Sequence, residues 1–493
     1  MSSAYEMLKN PVAFAAFLFT LLLPIFVGFL VMKRTKTEED FFVGGRAMDK
    51  ITVALSAVSS GRSSWLVLGL SGMAYKMGVT AVWAAVGYIT VEMLQFVYMG
   101  MRLRRFSEKF NAITVPDYFE ARFRDTSKIV RLVVSIIIVI FLTSYVGAQF
   151  NAGAKTLSAA LGISLFTGLI IAVLMIVVYM VLGGFIAVAY NDVIRAVIMI
   201  IGLTVLPAVA VAKVGGVNAV LEVLHQLNPK YVDPWAFGAG VVIGFLGIGL
   251  GSPGQPHIIV RYMSINDPDR LRQSTVIGTF WNVVLAWGAI FVGLAGRALV
   301  PEVGMLPNES EEMIYPYLSA QFFGPLLYGI LMGGIFAAIL STADSQLLVV
   351  SSTVVKDFYQ EVIRKGEKLD EKTALKISRV TVLVIGFLAA ILAYYAKDII
   401  FWFVLFAWGG LGASIGPTLL LSLYWKRTTK WGVVAGMIVG TITTIVWKLY
   451  LKEVTGLYEL VPAFIFALIA TILVSLVTKP PENVEELMKA MEA

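Results

Sequence analysis

Apolar residues run through this chain in stretches of about 20, each closed by a charged loop, which is the length a helix needs to cross a bilayer core. The pattern predicts about thirteen segments, near 12–32, 51–75, 79–100, 128–149, 160–182, 186–212, 238–262, 276–299, 322–355, 377–396, 399–424, 431–450 and 459–478. All are expected to be helical, because lipid offers no partner to an unpaired backbone N–H or C=O. The first stretch lacks a basic leader and a small-residue cleavage site, so it reads as a span and not as a signal peptide.

Two segments depart from the plain pattern. Segment 2 carries Ser56, Ser59, Ser60, Gly61, Arg62, Ser63 and Ser64 at its centre, with the arginine at mid-depth. Segment 7 packs Gly244, Gly247, Gly249, Gly251, Pro253, Gly254 and Pro256 into one stretch, enough to break a helix near the bilayer centre. Unwound backbone is tolerated there only where it lines a cavity. The two lie five segments apart, and matched breaks in two five-helix units point to an inverted-repeat secondary transporter. The expected architecture is a single all-α transmembrane domain over 1–493, with repeats at 51–212 and 238–424 and peripheral helices at 12–32, 431–450 and 459–478. Kinked helices that merely pack are the plainer alternative. Segment 12 shows what packing alone looks like: Gly432, Gly436 and Gly440 fall four apart and form a small-residue face.

Composition narrows the class. Over 493 residues, 58% are hydrophobic and 14% charged, which excludes an ordinary soluble enzyme. There is no cysteine, so disulfides and thiolate chemistry are excluded, and two histidines (His225, His257) cannot build a histidine metal cluster. Gly249-x-Gly251-x-x-Gly254 has dinucleotide-fingerprint spacing, but no strand precedes it. No nucleophile–base pair stands out, so catalysis is not expected, nor is a nucleic-acid partner. A channel is disfavoured by the asymmetry of the repeats and the absence of a repeated filter loop. With the N-terminus outside and the C-terminus inside, about 28 of the 39 basic residues fall on inner loops, as the positive-inside rule requires. The opposite loop around Glu302–Glu312 has no Lys or Arg. The tail from Lys479, opening with Pro480 and Pro481, is too short to fold alone.

Charge inside a membrane is expensive and usually functional. Arg62 lies in segment 2, Glu92 in segment 3, and Asp192 and Arg195 sit three apart in segment 6, where they can neutralise one another. In segment 9, Ser341, Asp344 and Ser345 share a helix face with Thr342 beside it, a convergence of oxygens suited to a small alkali cation. A single hydroxyl in such a helix commonly bonds back to the i−4 carbonyl instead; the buried Asp344 favours the functional reading.

These residues carry a resemblance. Phe42-Val-Gly-Gly-Arg46, Thr114-Val-Pro-Asp-Tyr-Phe119, Gly183-Gly-Phe-Ile-Ala-Val188 with Asp192, Gly254-Gln-Pro-His-Ile258, Ser341-Thr342 with Ser345-Gln346, and Gly409-Gly-Leu-Gly-Ala-Ser-Ile-Gly-Pro417 leading to Tyr424-Trp-Lys-Arg427 run in order through nearly the whole chain. In these the chain resembles the solute:sodium symporter family, its sodium/proline branch most closely. The resemblance implies thirteen spans with the N-terminus outside, and a multi-pass protein of the cell membrane. It implies no cofactor beyond Na+ as coupling ion, and proline or a related amino acid as solute. It implies a sodium site formed by carbonyls near Ser59, Arg62 and Ala338 with the hydroxyls of Ser341 and Thr342. A second cation site, present in some relatives, would fall on Asp192, Ser341, Asp344 and Ser345. The solute would bind at the breaks, near Tyr145, Ile248, Ser252 and Gln255.

The chain departs from that branch at three places. An aspartate of segment 2 that matters for sodium binding is here Gly61, its neighbour is Arg62, and an aromatic pair in segment 7 is replaced by Ile248 and Ser252. An arginine keeps its charge in a protein and needs an anion. Segments 2 and 9 should meet at the sodium site, so Asp344 is the expected partner, as though the lost carboxylate had moved to segment 9. Arg62 would then partly stand in for sodium. Two further readings stay open: Arg62 takes the carboxylate of a solute bidentately, or snorkels to the inner surface. The alternative function is a sodium-independent or proton-coupled carrier, for example of a monocarboxylate, with Asp344, Asp192 or Glu92 titrating.

Overall fold

The computed structural model describes residues 6–32, 38–180, 185–367, 369–396 and 399–492. Residues 33–37, which follow segment 1, and the Gly183-Gly184 pair of the family-like motif lie outside the described residues. The protein is all-helical, with no strand among the described residues beyond one isolated bridge between Met48 and Ile265. Helix is found in each of the thirteen apolar segments. Among the described residues, nine helices are long and apolar enough to cross a membrane. One of these, Lys50–Lys109, contains segments 2 and 3 together. The chain turns between them at Gly78 (φ +63°), where any side chain would run into the backbone of Tyr231.

Helix starts follow local chemistry. Asp49 opens segment 2 by accepting from the amides of Ile51 (2.8 Å) and Thr52 (3.1 Å). Thr114 and Asp117 form a reciprocal capping box on the short helix Val115–Phe123, within the polar connector that follows segment 3. Thr429 caps segment 12 through the Gly432 amide. The ends differ from hydropathy alone: segment 3 continues as helix to Lys109, and segment 9 runs Pro325–Ser352 with a widened turn to Ile363, after a separate helix Ile314–Phe322.

Both expected breaks are present. In segment 2 the break is a single residue, Ser63 (φ 49°, ψ −171°), in a region almost reserved for glycine that costs about 1–3 kcal/mol. The amides freed there find side chains: Ser64 N–H donates to Gln149 Oε1 (3.1 Å) and Trp65 N–H to Ser63 Oγ (3.1 Å). Segment 7 is helical over Gly238–Leu246, tightens to 3-10 turns over Gly247–Gly254, and resumes at Pro256–Met263.

The glycines of the segment 7 break let backbones meet. A side chain at Gly249 would strike the Gly87 carbonyl of segment 3, one at Gly251 the Trp408 ring, and one at Gly254 the Leu411 carbonyl of segment 11. Their fingerprint-like spacing is a packing feature. On segment 12, Gly432 and Gly436 face Ser475 and Thr471 of segment 13, while Gly440 faces Ala413 of segment 11. The tail forms a helix, Val484–Glu492, that buries Leu487 and Met491. It is pinned by Arg102–Glu492 (2.7 Å) and Lys426–Glu485 (2.8 Å).

Candidate functional site

Segments 2 and 9 meet just before the Ser63 break. Ser341 Oγ donates to the carbonyls of Ser59 (3.1 Å) and Ala338 (3.0 Å), and Thr342 Oγ1 donates to the Ser60 carbonyl (2.9 Å). Of the five residues expected at a sodium site, four are therefore brought together. The Arg62 carbonyl accepts from the Trp65 amide, and the Ser60 carbonyl joins the group beside Thr342. Neutral carbonyl and hydroxyl oxygens are the hard ligands an alkali cation takes.

A second polar cluster lies one helical turn away. Asp192 Oδ2 accepts from Ser56 Oγ (2.7 Å) and Ser60 Oγ (3.0 Å), and Ser345 Oγ lies 3.1 Å from Ser60 Oγ. Two guanidinium groups enter this cluster. Arg261 reaches Ser345 Oγ (2.5 Å), Ser56 Oγ (3.1 Å) and Asp192 Oδ2 (3.3 Å), and Arg195 pairs with Asp344 (2.5 Å). Asp192 and Arg195 stand 3.6 Å apart, each closer to another partner than to the other. All these side chains are buried. Asp192, Asp344 and Ser345 are thus neighbours, with two arginines balancing two aspartates. Ser341 touches the cluster through its backbone carbonyl, which accepts from Ser345 Oγ at 2.8 Å.

The expected pairing of Arg62 with Asp344 is incorrect. Arg62 Nη2 donates to both oxygens of Glu92 in segment 3, at 2.6 and 2.7 Å, and its guanidinium carbon lies 4.1 Å from the centre of the Tyr88 ring. Glu92 also accepts from Asn282 of segment 8. Segment 2 sends its carbonyls toward segment 9 and the Arg62 side chain toward segment 3, so Asp344 is out of reach and Arg195 takes it. Nor does Arg62 snorkel; it is 1% exposed. The carboxylate that Arg62 meets is Glu92 of segment 3, not Asp344 of segment 9.

A small cavity of about 10 Å³ lies between the two breaks. Arg62, Tyr145, Ile248 and Trp408 line it, all of them buried. Tyr145 and Ile248 were expected at the solute site and share this cavity. Ser252 and Gln255 do not line it. Gln255 Nε2 donates to the carbonyls of Gly251 (3.0 Å) and Trp408 (2.9 Å), tying the segment 7 break to segment 11. The sequence reading did not single out Trp65, Tyr88 or Trp408 for this cavity, nor Ser56, Ser60 and Arg261 for the polar cluster. A usable signal existed: Tyr88 and Glu92, like Ser56 and Ser60, are four apart and share a helix face.

At one end of segments 4 and 9, a charged network ties them to the Val115–Phe123 helix. Arg131 donates to Asp117 (2.7 Å), Asp357 (2.5 Å) and Glu120, and Lys356 donates to Asp117 (2.5 Å). Burial disfavours the Asp117 carboxylate, yet Lys356 and Arg131 outweigh it and hold its pKa down at about 2.

A sequence model of the sodium:solute symporter family matches residues 41–440. The chain is similar to the osmoregulated proline transporter of Bacillus subtilis, 37% identical over 461 residues that cover 93% of each chain. It is 36% identical to the high-affinity proline transporter of Bacillus subtilis over 464 residues, 93% of this chain and 97% of the relative. It is 35% identical to the sodium/proline symporter of Escherichia coli over 475 residues, 95% and 93% of the two chains. Among solved structures, a Na+-coupled sialic acid symporter in a substrate-bound outward-open state superposes with a TM-score of 0.80 at 20% identity, over 96% of this chain and 98% of that one. A nucleobase-cation-symport-1 family transporter in a closed conformation gives a TM-score of 0.53 at 14% identity, over 92% and 99%. Both likenesses concern the fold.

Proposed function

Because the chain belongs to the sodium:solute symporter family, we propose that this multi-pass membrane protein couples inward sodium flow to the uptake of proline or a related amino acid. The observation that carries the reading is the meeting of Ser341 and Thr342 with the carbonyls of Ser59, Ser60 and Ala338, immediately before the Ser63 break. The proline transporters named above support the choice of solute. The paired breaks in segments 2 and 7 support a five-plus-five inverted repeat over 51–212 and 238–424, and the loop charges support an outside N-terminus.

The ion is cargo here, and the geometry supplies a coupling route. A sodium ion taken by these oxygens turns the hydroxyl protons of Ser341 and Thr342 outward and fixes segment 2 against segment 9. Gly61 and Arg62, the next residues along the same broken segment, line the solute cavity. Ordering one end of this short stretch orders the other, so ion and solute raise each other's affinity by the same factor. Rocking of one repeat against the other then exposes the filled sites to the inner side.

A second reading has its own observation. The buried Arg62–Glu92 pair beside the cavity, where the branch has a segment 2 aspartate, favours a proton-coupled carrier with Glu92 as the titrating group. Uptake of labelled L-proline into proteoliposomes separates the two. Accumulation under an inward sodium gradient alone is the expected result. Accumulation under a proton gradient without sodium replaces it with the second reading, and no uptake under either overturns the choice of solute.

A further inference from the structure

Three hydrogen-bond donors on the cavity wall have nothing to donate to among the described residues: Arg62 Nε, Trp65 Nε1 and the Tyr88 hydroxyl. All three side chains are buried. Native interiors seldom leave such groups unpaired, so a cluster of them asks for a ligand. Guanidinium and indole N–H groups are donors only, and a tyrosine hydroxyl donates as readily as it accepts. The missing partner is therefore an acceptor.

The surroundings say what kind. Glu92 occupies only Nη2 of Arg62, and Tyr88 stacks on the guanidinium face. These two contacts fix the plane and leave Nε–H to donate to one carboxylate oxygen, with the Trp65 indole and the Tyr88 hydroxyl as further donors on the cavity wall. The lining also includes Tyr145 and the apolar Ile248, Val404 and Leu405. Trp408 adds ring surface, its own N–H already spent on the Ile248 carbonyl (2.8 Å). The lining thus combines buried donors with apolar surface.

Resting on the carrier reading above, we propose that Arg62, flanked by Trp65 and Tyr88, anchors the carboxylate of the solute, and that this chain selects small organic acids with a compact apolar body. The Arg62–Glu92 pair is neutral by itself. A zwitterionic amino acid adds no net charge to the cavity, whereas a simple monocarboxylate adds one negative charge. Both carry the group that Arg62 recognises, and the test tells them apart.

The test is equilibrium binding, by tryptophan fluorescence in sodium buffer, to the purified full chain in nanodiscs. The probes are L-proline, cyclopentanecarboxylate, and the carboxylate-free L-prolinamide and pyrrolidine. At least one acid is expected to bind roughly 10- to 100-fold more tightly than its carboxylate-free counterpart, the range for hydrogen bonds to a charged group. Arg62→Lys is expected to erase that difference. Because Arg62→Gln alone strands Glu92, the double variant Arg62→Gln/Glu92→Gln is measured beside it with its melting temperature, and should lose the acids while remaining folded. Prolinamide or pyrrolidine binding as well as the acids, Arg62→Lys retaining the full preference, or none of the four binding would each overturn the proposal. Binding of cyclopentanecarboxylate without proline keeps the anchor and overturns proline as solute. Sodium-driven proline uptake with an unchanged KM in Arg62→Lys keeps the carrier and overturns the anchor.

Discussion

Glu92 Oε1 stands 3.5 Å from the point where a β-carbon on Gly61 would lie. The resemblance to the proline branch places a carboxylate at position 61. Here an acidic oxygen reaches almost the same point from the neighbouring segment, accompanied by Arg62.

Restoring the acid should therefore cost more stability alone than in combination. Gly61→Asp sets a second carboxylate beside Glu92 and pushes its β-carbon to 3.0 Å from Ile258 Cδ1. The single variant is expected to lower the melting temperature and abolish uptake. Gly61→Asp/Glu92→Gln/Arg62→Met should recover the melting temperature in part, read by thermal unfolding, but not uptake, because the carboxylate anchor Arg62 is gone. Equal loss of melting temperature in single and triple variants would show that the two positions are independent.

Glu92→Gln removes one half of a buried ion pair and leaves Arg62 without its anion. The expected cost is roughly 3–5 kcal/mol, since an uncompensated buried charge outweighs what the pair contributes. The double neutral variant Arg62→Gln/Glu92→Gln should be less destabilised than Glu92→Gln. Comparative melting in the same detergent decides the order.

Ser341→Ala and Thr342→Ala each remove one hydroxyl from the expected sodium site. The sodium concentration for half-maximal uptake should rise at least about tenfold for each, the equivalent of about 1.4 kcal/mol. The solute KM measured at saturating sodium should move much less. An unchanged sodium requirement in both variants would remove this pair from the ion site.

Arg261 and Arg195 fill the region where a second cation site was expected, with two guanidinium groups against Asp192 and Asp344. A further cation there would face two fixed positive charges. Uptake is expected to depend on sodium with a Hill coefficient of about one. A value near two, measured in proteoliposomes, would mean that the arginines leave the aspartates during the cycle.

Asp117 gives a prediction with a defined pH window. Its folded pKa of about 2 lies below the ordinary carboxylate value, so its contribution is fully present above about pH 4 and is lost as the pH falls towards 2. The shift corresponds to about 2 kcal/mol. Asp117→Asn should lower stability at pH 7, and the gap from the parent chain should close on acidification below pH 4. A gap that stays constant down to pH 2 would rule out the ion pairs with Lys356 and Arg131 as its source.

The helical class, the segment positions and both breaks were legible because each is a local property. Segment 7 had to unwind where Gly247, Gly249, Gly251 and Pro253 crowd together, and segment 2 broke within its serine-rich centre. The meeting of Ser341 and Thr342 with segment 2 followed from the family-like pattern. The partner of Arg62 did not. Segment 2 is buried on every side from Thr52 to Ser71, so it has no exposed face from which its rotation could be inferred.

By itself, the sequence determined that the chain is built of apolar helices, where they weaken, and which charges lie within them. These depend on runs and spacings of a few residues. Only the tertiary structure decided that Arg62 turns to Glu92, that Asp344 goes to Arg195, and that Ser252 and Gln255 stay out of the cavity. Several carboxylates could equally satisfy a buried guanidinium. The choice among them is made by the rotation and register of helices packed on all faces, which no local pattern encodes.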